Sequence, residues 1–330
     1  MQKLKNSPIA RLLSAVQPCI VDIGVRGGVD EDLVAIAWAC SVYGFEPEPT
    51  EVARLLKRPD YRWKSVRLLP YAVGGRSGKS TLHMPESEQG ASLLRHNPDM
   101  VDRFGHESLH VVRKEIPVDT VTLDSLRESG ELPGADYMKL DIEGAELDVL
   151  KAGRSVLKDC SALKIECSFL PQRQSQPLIW DVVPFMIDAG FDVVDIVDIH
   201  RWRRRPLPAH PYVINFEMPY SRGQLAQCDL IFLRRAETLA DWRRIVMLIA
   251  ISAALGYFDF AISAMRGMPV VTERIRDEHG FDLESELGGW AAMSGRANLR
   301  QAIFKQLRTL VPQLRSLAGL LPYPKPARPF

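Results

Sequence analysis

From residue 20 to about 235, short runs rich in Val, Ile and Leu alternate with longer helix-compatible segments. This is the pattern of strands feeding crossover helices in a parallel sheet. It predicts strands at Cys19–Ile23, Ser41–Phe45, Ser65–Ala72, Asp136–Leu140, Ala162–Cys167, Phe191–Ile196 and Asp229–Leu233. The fold class is therefore α/β, a doubly wound and mostly parallel seven-stranded sheet. A longer insertion separates the third strand from the fourth, with strand-like pieces at Ser80–Met84 and Val118–Leu123 around a polar stretch. The arginine- and proline-rich run beginning at Arg201 reads as a loop leading into a strand near Tyr212–Glu217.

After Arg235 the alternation gives way to helix-compatible sequence, which ends in a proline-punctuated tail expected to be poorly ordered. A boundary near 235 follows: residues 1–235 form the α/β sheet domain, and 236–330 a mostly helical region for assembly, for capping a site on the sheet or for membrane contact. Within it, Ile245–Met265 has Asp259 as its one formal charge over a length that could cross a bilayer. A carboxylate inside lipid is costly, so the reading is a buried helix or a homo-oligomer interface, with peripheral membrane contact as the alternative.

Composition narrows the partners. Over 330 residues the chain is 46% hydrophobic and 25% charged with a net charge of +1, ordinary for a globular protein and without a global pull toward nucleic acid. The five cysteines show no C-x-x-C pair, so neither a disulfide framework nor a zinc site is expected and a reducing cytoplasm fits. The N-terminus lacks the apolar core of a secretory signal.

The candidate chemistry begins at Val21-Asp22-Ile23-Gly24-Val25-Arg26-Gly27-Gly28, between the first strand and a helical pattern beginning near Asp30. Nucleotide-like cofactors dock at such a turn, where glycines let the backbone approach a ligand. The spacing G-x-x-G-G departs from the dinucleotide fingerprint. Glu46 ends the second strand in GFEPEP, where an acid can accept both ribose hydroxyl protons. Without a ligand, Asp22 would cap a turn and Glu46 would be a solvated strand end.

Five segments together resemble the FkbM methyltransferase family: VDIGVRGG (21–28), FEPEP (45–49), YAVGGRSGKSTLHMP (71–85), VTLDSL (121–126) and, most specifically, YMKLDIEGAELDVLKAG (137–153). The resemblance runs from about 20 to 235. It implies a Rossmann-like methyltransferase sheet and methyl transfer from S-adenosyl-L-methionine, commonly to a hydroxyl of a sugar or small metabolite. Carried over by position, Asp22, Gly24 and Gly28 belong to the cofactor loop, Glu46 to the ribose, and Ala72 and Val73 to the strand end beside adenine. The family usually has a small residue and Asn where this chain has Val25 and Arg26; Arg26 could reach the methionine carboxylate.

Lys139, Asp141, Glu143 and Glu146 bracket the end of the fourth strand, at the carboxyl edge beside the expected methyl donor. With a sulfonium donor, the protein aligns the acceptor and removes its hydroxyl proton. Asp141, Glu143, Glu166 at the end of the fifth strand and His200 after the sixth are the candidate groups. Glu143 and Glu146 also fit a helix N-terminus, where acids are stabilising. A divalent metal would suit Asp141 and Glu143, yet two carboxylates do not make a site, and none is assigned. Arg201, Arg203, Arg204 and Arg205 could grip a phosphate or carboxylate on a small-molecule or glycan acceptor, or pair with acids elsewhere. Two rival readings remain. A nucleic-acid methyltransferase would carry an N/D/S-P-P-Y/F/W tetrapeptide where DIEG stands; a non-catalytic cofactor-binding assembly protein would rest on the helical C-terminal region.

Overall fold

The structure is a computed structural model, and it describes residues 2–205 and 221–317. Its strands are β1 (Cys19–Ile23), β2 (Ser41–Phe45), β3 (Ser65–Leu69), β4 (Ala72–Val73), β5 (Gly78–Pro85), β6 (Val112–Val121), β7 (Tyr137–Leu140), β8 (Ala162–Ser168), β9 (Phe191–Trp202) and β10 (Gln224–Arg234). Seven of them form the main sheet in the order β3-β2-β1-β7-β8-β10-β9. The first five neighbours run parallel, and β10 is antiparallel to both β8 and β9. The strand order reverses beside β1, so the ends of β1, β2 and β7 open onto the crevice where ligands of such sheets bind.

Adjacent residues of the central strands enter different cores, as strands covered on both faces must. Ile20, Tyr137 and Ala162 belong to one apolar cluster, and their neighbours Val21, Met138 and Leu163 to the other. The second cluster is closed by the helices Leu123–Glu128, Glu146–Lys151 and Ile179–Asp188. The first is closed by Pro8–Val16 and Trp242–Leu255.

The apolar stretch from Ile245 to Met265 is thus packed into the protein core, and the reading of its length as one that could cross a bilayer is corrected. It folds as two helices, Trp242–Leu255 and Phe258–Arg266. Asp241 caps the first by accepting the Arg243 N–H at 3.0 Å, and Gly256 ends it in the left-handed region at φ 98°. Residues Ile245 to Ala253 are all buried. Among the described residues no helix is long and apolar enough to cross a membrane. Position 235 therefore marks the end of the sheet while one core continues past it. Ile251→Ala should lower unfolding free energy by about 2–5 kcal/mol in urea titration; a change below about 1 kcal/mol would place this helix outside the core.

Other expectations shift. Pro70 ends β3 at Leu69, and Ala72–Val73 instead pairs with β6 in a second sheet of order β4-β6-β5. The insertion pieces are longer than expected, as are the last two strands of the main sheet. In place of a helix opening near Asp30, the chain makes the 3-10 segment Val34–Ala39. The arginine run starts inside β9, not in a loop. The strand expected at Tyr212–Glu217 and the tail beyond 317 lie outside the described residues.

Candidate functional site

Gly24 is the tightest point of the loop after β1. Its N–H and that of Val25 donate to the Phe45 carbonyl at 3.1 and 3.2 Å, fastening the loop to the end of β2. Its φ is 92°, and a Cβ here would lie 2.1 Å from the Asp141 carbonyl oxygen. Asp22 is buried; Oδ2 accepts the Asp30 N–H at 2.9 Å, while Oδ1 has no hydrogen-bond partner and lies 3.9 Å from Lys139 Nζ. Burial raises its pKa to about 6. The turn-capping role and an open acceptor atom thus coexist on one carboxylate. Behind the loop, Lys164 Nζ meets Asp30 and Asp32 at 2.9 and 3.2 Å, and the Tyr137 hydroxyl donates to Asp32 at 2.6 Å.

Glu46 is buried at the end of β2, and Oε1 accepts the Glu48 N–H at 2.9 Å. Burial raises its pKa. Arg26 turns toward it at 3.3 Å, with Glu48 at 3.6 Å and Glu88 of the insertion at 2.8 Å. The guanidinium is thus shared among three carboxylates. Gly28 carries φ 141° with open space around it. Ala72 and Val73 line a narrow apolar slot together with Ile23, Phe45, Pro47 and Ile142, closed on the insertion side by Ser92 and Leu93.

Asp141, Glu143 and Glu166 each bring a carboxylate oxygen to within 4.8 Å of the others. Each also has a protein donor: Lys139 Nζ at 3.0 Å from Asp141, Arg173 Nη2 at 2.8 Å from Glu143, and Gln227 Nε2 at 2.6 Å from Glu166. The set resembles a hard-cation site in composition, but these donors already occupy it. Glu143 holds the left-handed conformation, φ 62°, a cost that clusters at functional sites. Burial, and then the neighbouring carboxylates, raise Glu143 to about 7 and Glu166 well above the usual range. Asp141 is the most open, its side chain 40% exposed against 18% for Glu143. Glu146 is structural, accepting the Ile142 and Gly144 N–H groups at 3.0 Å.

His200 stands exposed on the outer strand β9 opposite Gln227, with β10 between it and Glu166. The arginine run pairs locally: Arg203 donates to the Ser221 carbonyl, Arg204 to Gln224 and Arg205 to Glu107. Sequence reasoning missed Arg173, which is buried and also donates to the Gly90 carbonyl at 3.1 Å, tying the insertion to the acids. It missed Gln227 too; neither carries a motif.

An open sheet of this order, with a glycine turn at its first strand, an acid ending its second and carboxylates at its switch point, defines a Rossmann-like methyltransferase fold. The chain belongs to the FkbM methyltransferase family, matching the methyltransferase FkbM domain over residues 22–193. It is similar to a hexuronic acid methyltransferase from Haloferax volcanii, 29% identical over 128 residues, 38% of this chain and 46% of that protein. It is also similar to a 2-O-methyltransferase from Sinorhizobium fredii, 28% identical over 153 residues, 45% of this chain and 63% of that protein. The alignments thus span about half to three-fifths of these relatives. Among solved structures, magnesium protoporphyrin IX methyltransferase from Synechocystis PCC 6803 with bound S-adenosylmethionine aligns at 11% identity and TM-score 0.32, over 71% of this chain and 79% of that one.

Proposed function

We propose that this protein is an S-adenosylmethionine-dependent O-methyltransferase acting on a hydroxyl of a sugar, glycan or small metabolite. The observation that carries this reading is the convergence of Asp141, Glu143 and Glu166 at the carboxyl edge beside the Gly24 loop. The donor supplies an electrophilic methyl group on a sulfonium. The residues present fit it: a buried acid at Glu46 for the ribose, an apolar slot from Ile23 to Ile142 for the base, and the close backbone turn at Gly24.

The chain's own groups then orient the acceptor and take its proton. Asp141, the most open of the three acids, meets the hydroxyl and polarises it. Glu143, with a pKa near neutrality, receives the proton inside the cluster, and Arg173 holds it there. Lys139 fixes Asp141 against the Gly24 carbonyl, which its Nζ reaches at 3.4 Å. The two curated relatives act, by their names, on a hexuronic acid and at a 2-O position, which supports a carbohydrate acceptor.

Incubation with isotopically labelled methyl donor and cell-derived small molecules, followed by mass spectrometry, tests the reading. A labelled methyl ether on a hydroxylated acceptor is expected; label in RNA, or cofactor binding without transfer to any fraction, would replace it. Glu46→Ala should weaken cofactor affinity by about a hundredfold, the loss of a bidentate charge-assisted contact of roughly 3 kcal/mol. Calorimetry showing wild-type affinity would remove Glu46 from the ribose site.

A further inference from the structure

At the β3 edge of the sheet, the connections from β1 to β2 and from β2 to β3 step in the same direction between parallel strands, so right-handed crossovers put both on one face. The second connection carries the helix Pro49–Leu56, whereas the first runs irregularly from Gly24 to the 3-10 segment Val34–Ala39. Where a helix of the first connection would have packed, a cavity of about 630 Å³ remains, walled by the loop at 25–31, the chain from Arg54 to Lys64 and the edge strand β3. Two ties hold its walls. Glu51 accepts the Gly27 N–H at 2.9 Å and pairs with Arg54 at 2.6 Å. Arg62 pairs with Glu31 and with Asp60, each at 2.7 Å.

The lining combines apolar surface with unspent positive charge. Val25 and Trp63 are buried in it, and Val29, Leu55 and Leu68 half-buried. Leu56, Tyr61 and Val66, which also line it, are 63%, 89% and 37% exposed, so apolar surface is left in water around the cavity. Four cations line it as well, Arg54, Arg58, Arg62 and Lys64, against two acids, Glu31 and Asp60. Arg62 takes both acids, and Glu51 takes Arg54. Arg58 and Lys64, both exposed, have no acidic partner among the described residues. The surplus is local: from 54 to 67 the sequence has six cations and one acid, in a chain with 42 Lys and Arg against 41 Asp and Glu.

We infer that this cavity binds a small amphipathic anion, an apolar body of one or two rings carrying a carboxylate, sulfonate or phosphate. The body covers the apolar lining and lies against the exposed Tyr61 ring, and the anionic group meets Arg58 and Lys64. An inorganic anion alone would use the two cations and leave the apolar lining in water. A neutral apolar molecule would cover the lining and leave the charge unused. The volume suits such a ligand, since small-molecule sites span roughly 300–1,000 Å³. The cavity shares no residue with the apolar slot at Ala72 and Val73 or with Asp141, Glu143 and Glu166, so it is a site apart from both.

Fluorescence titration of the full chain with anilinonaphthalene sulfonate is the test, with phenylnaphthylamine as the same body without the charge and inorganic sulfate as the charge without the body. One-to-one binding of the sulfonate is expected, weakening with salt and undisturbed by saturating S-adenosylhomocysteine or by sulfate at the same concentration as the probe. It should be roughly tenfold tighter than binding of the neutral amine, and Arg58→Gln/Lys64→Gln should erase that margin, two exposed ion pairs at their usual strength, without changing affinity for the amine. Leu56→Gln/Tyr61→Gln should weaken both probes. Circular dichroism and thermal melting identical to wild type verify that substitutions at these four exposed positions leave the fold intact. No one-to-one binding, equal affinity for the two probes, or wild-type sulfonate affinity in either variant would overturn the proposal. So would displacement by S-adenosylhomocysteine, which would put the probe in the cofactor site, or by equimolar sulfate, which would reduce the cavity to an inorganic anion site.

Discussion

Gly24→Ala is expected to abolish measurable cofactor binding and to destabilise the chain by about 2–5 kcal/mol. Two costs combine. At φ 92° a side chain sits in a region that disfavours L-residues by roughly 1–2 kcal/mol, and a Cβ placed 2.1 Å from the Asp141 carbonyl oxygen must push backbone aside, an overpacking cost of roughly 1–3 kcal/mol. The carbonyl cannot yield cheaply, because the Asp141 N–H is bonded to the Ile23 carbonyl at 3.2 Å and β7 is paired with both β1 and β8. Any relief therefore moves the loop that holds the cofactor or the residue that meets the acceptor. Gly28→Ala is the matched comparison: its φ of 141° is also unfavourable, but nothing lies within 4 Å of the added atom, so it should cost only the backbone term and retain binding. Calorimetry and urea denaturation of both variants check the contrast. Wild-type affinity in Gly24→Ala would mean that the close approach has no bearing on the cofactor.

The distinction between these two glycines also shows where the sequence was informative. Val21-Asp22-Ile23-Gly24 announced its turn because a buried strand must end in a residue free of Cβ when another strand's backbone passes against it. The parallel strands β1, β2, β7 and β8 were legible for a related reason: burial on both faces leaves continuous apolar runs. Boundaries failed where a local signal was overridden or overlooked. Pro70 should have ended the third strand, and Gly256 should have split the apolar stretch after Ile245 into two helices. The missing helix after Gly28 has a different origin. Asp30 and Asp32 are held by Asp22, Lys164 and Tyr137, and that long-range network fixes an irregular segment that no spacing reveals. The core face a helix would have covered is closed instead by Trp242–Leu255, some two hundred residues away in sequence.

The acidic site divides along the same line. Asp141, Glu143 and Glu166 were legible as strand-end acids, since the carboxyl edge of such a sheet is where function gathers. Their hydrogen-bonding partners were not, because these are brought in by the fold: Lys139 on β7, Arg173 after β8 and Gln227 on β10. His200 fits the chain order of a base but not the geometry, as β9 lies on the outer edge of the sheet.

Asp141→Asn should lower kcat by about 10²–10⁴, the range for a carboxylate positioned on the hydroxyl whose proton is being transferred, while leaving cofactor affinity near wild type. The substitution keeps shape and hydrogen-bonding capacity but removes the charge that polarises the acceptor hydroxyl, and the Asp141 side chain meets the cofactor loop through Lys139, while the backbone contact at Gly24 is unchanged. Glu143 sets the pH dependence. Its pKa is raised to about 7, so it keeps its proton below that value and is free to accept one above it; kcat should therefore climb as pH passes from 6 to 8. Glu143→Gln removes the group that titrates in this window, and should both depress kcat and flatten that limb. A merely structural Glu143 gives a different outcome, with reduced stability and an unchanged pH profile. Arg173 separates the two further: Arg173→Lys keeps a positive charge but loses the planar fork, so the pH midpoint should stay closer to wild type than in Arg173→Met. There the carboxyl loses its counter-charge and its pKa rises, which moves the limb to higher pH. Stopped-time assays across pH 6 to 9 with saturating donor resolve these cases, and a pH-independent kcat in the wild-type protein would exclude Glu143 as the proton acceptor.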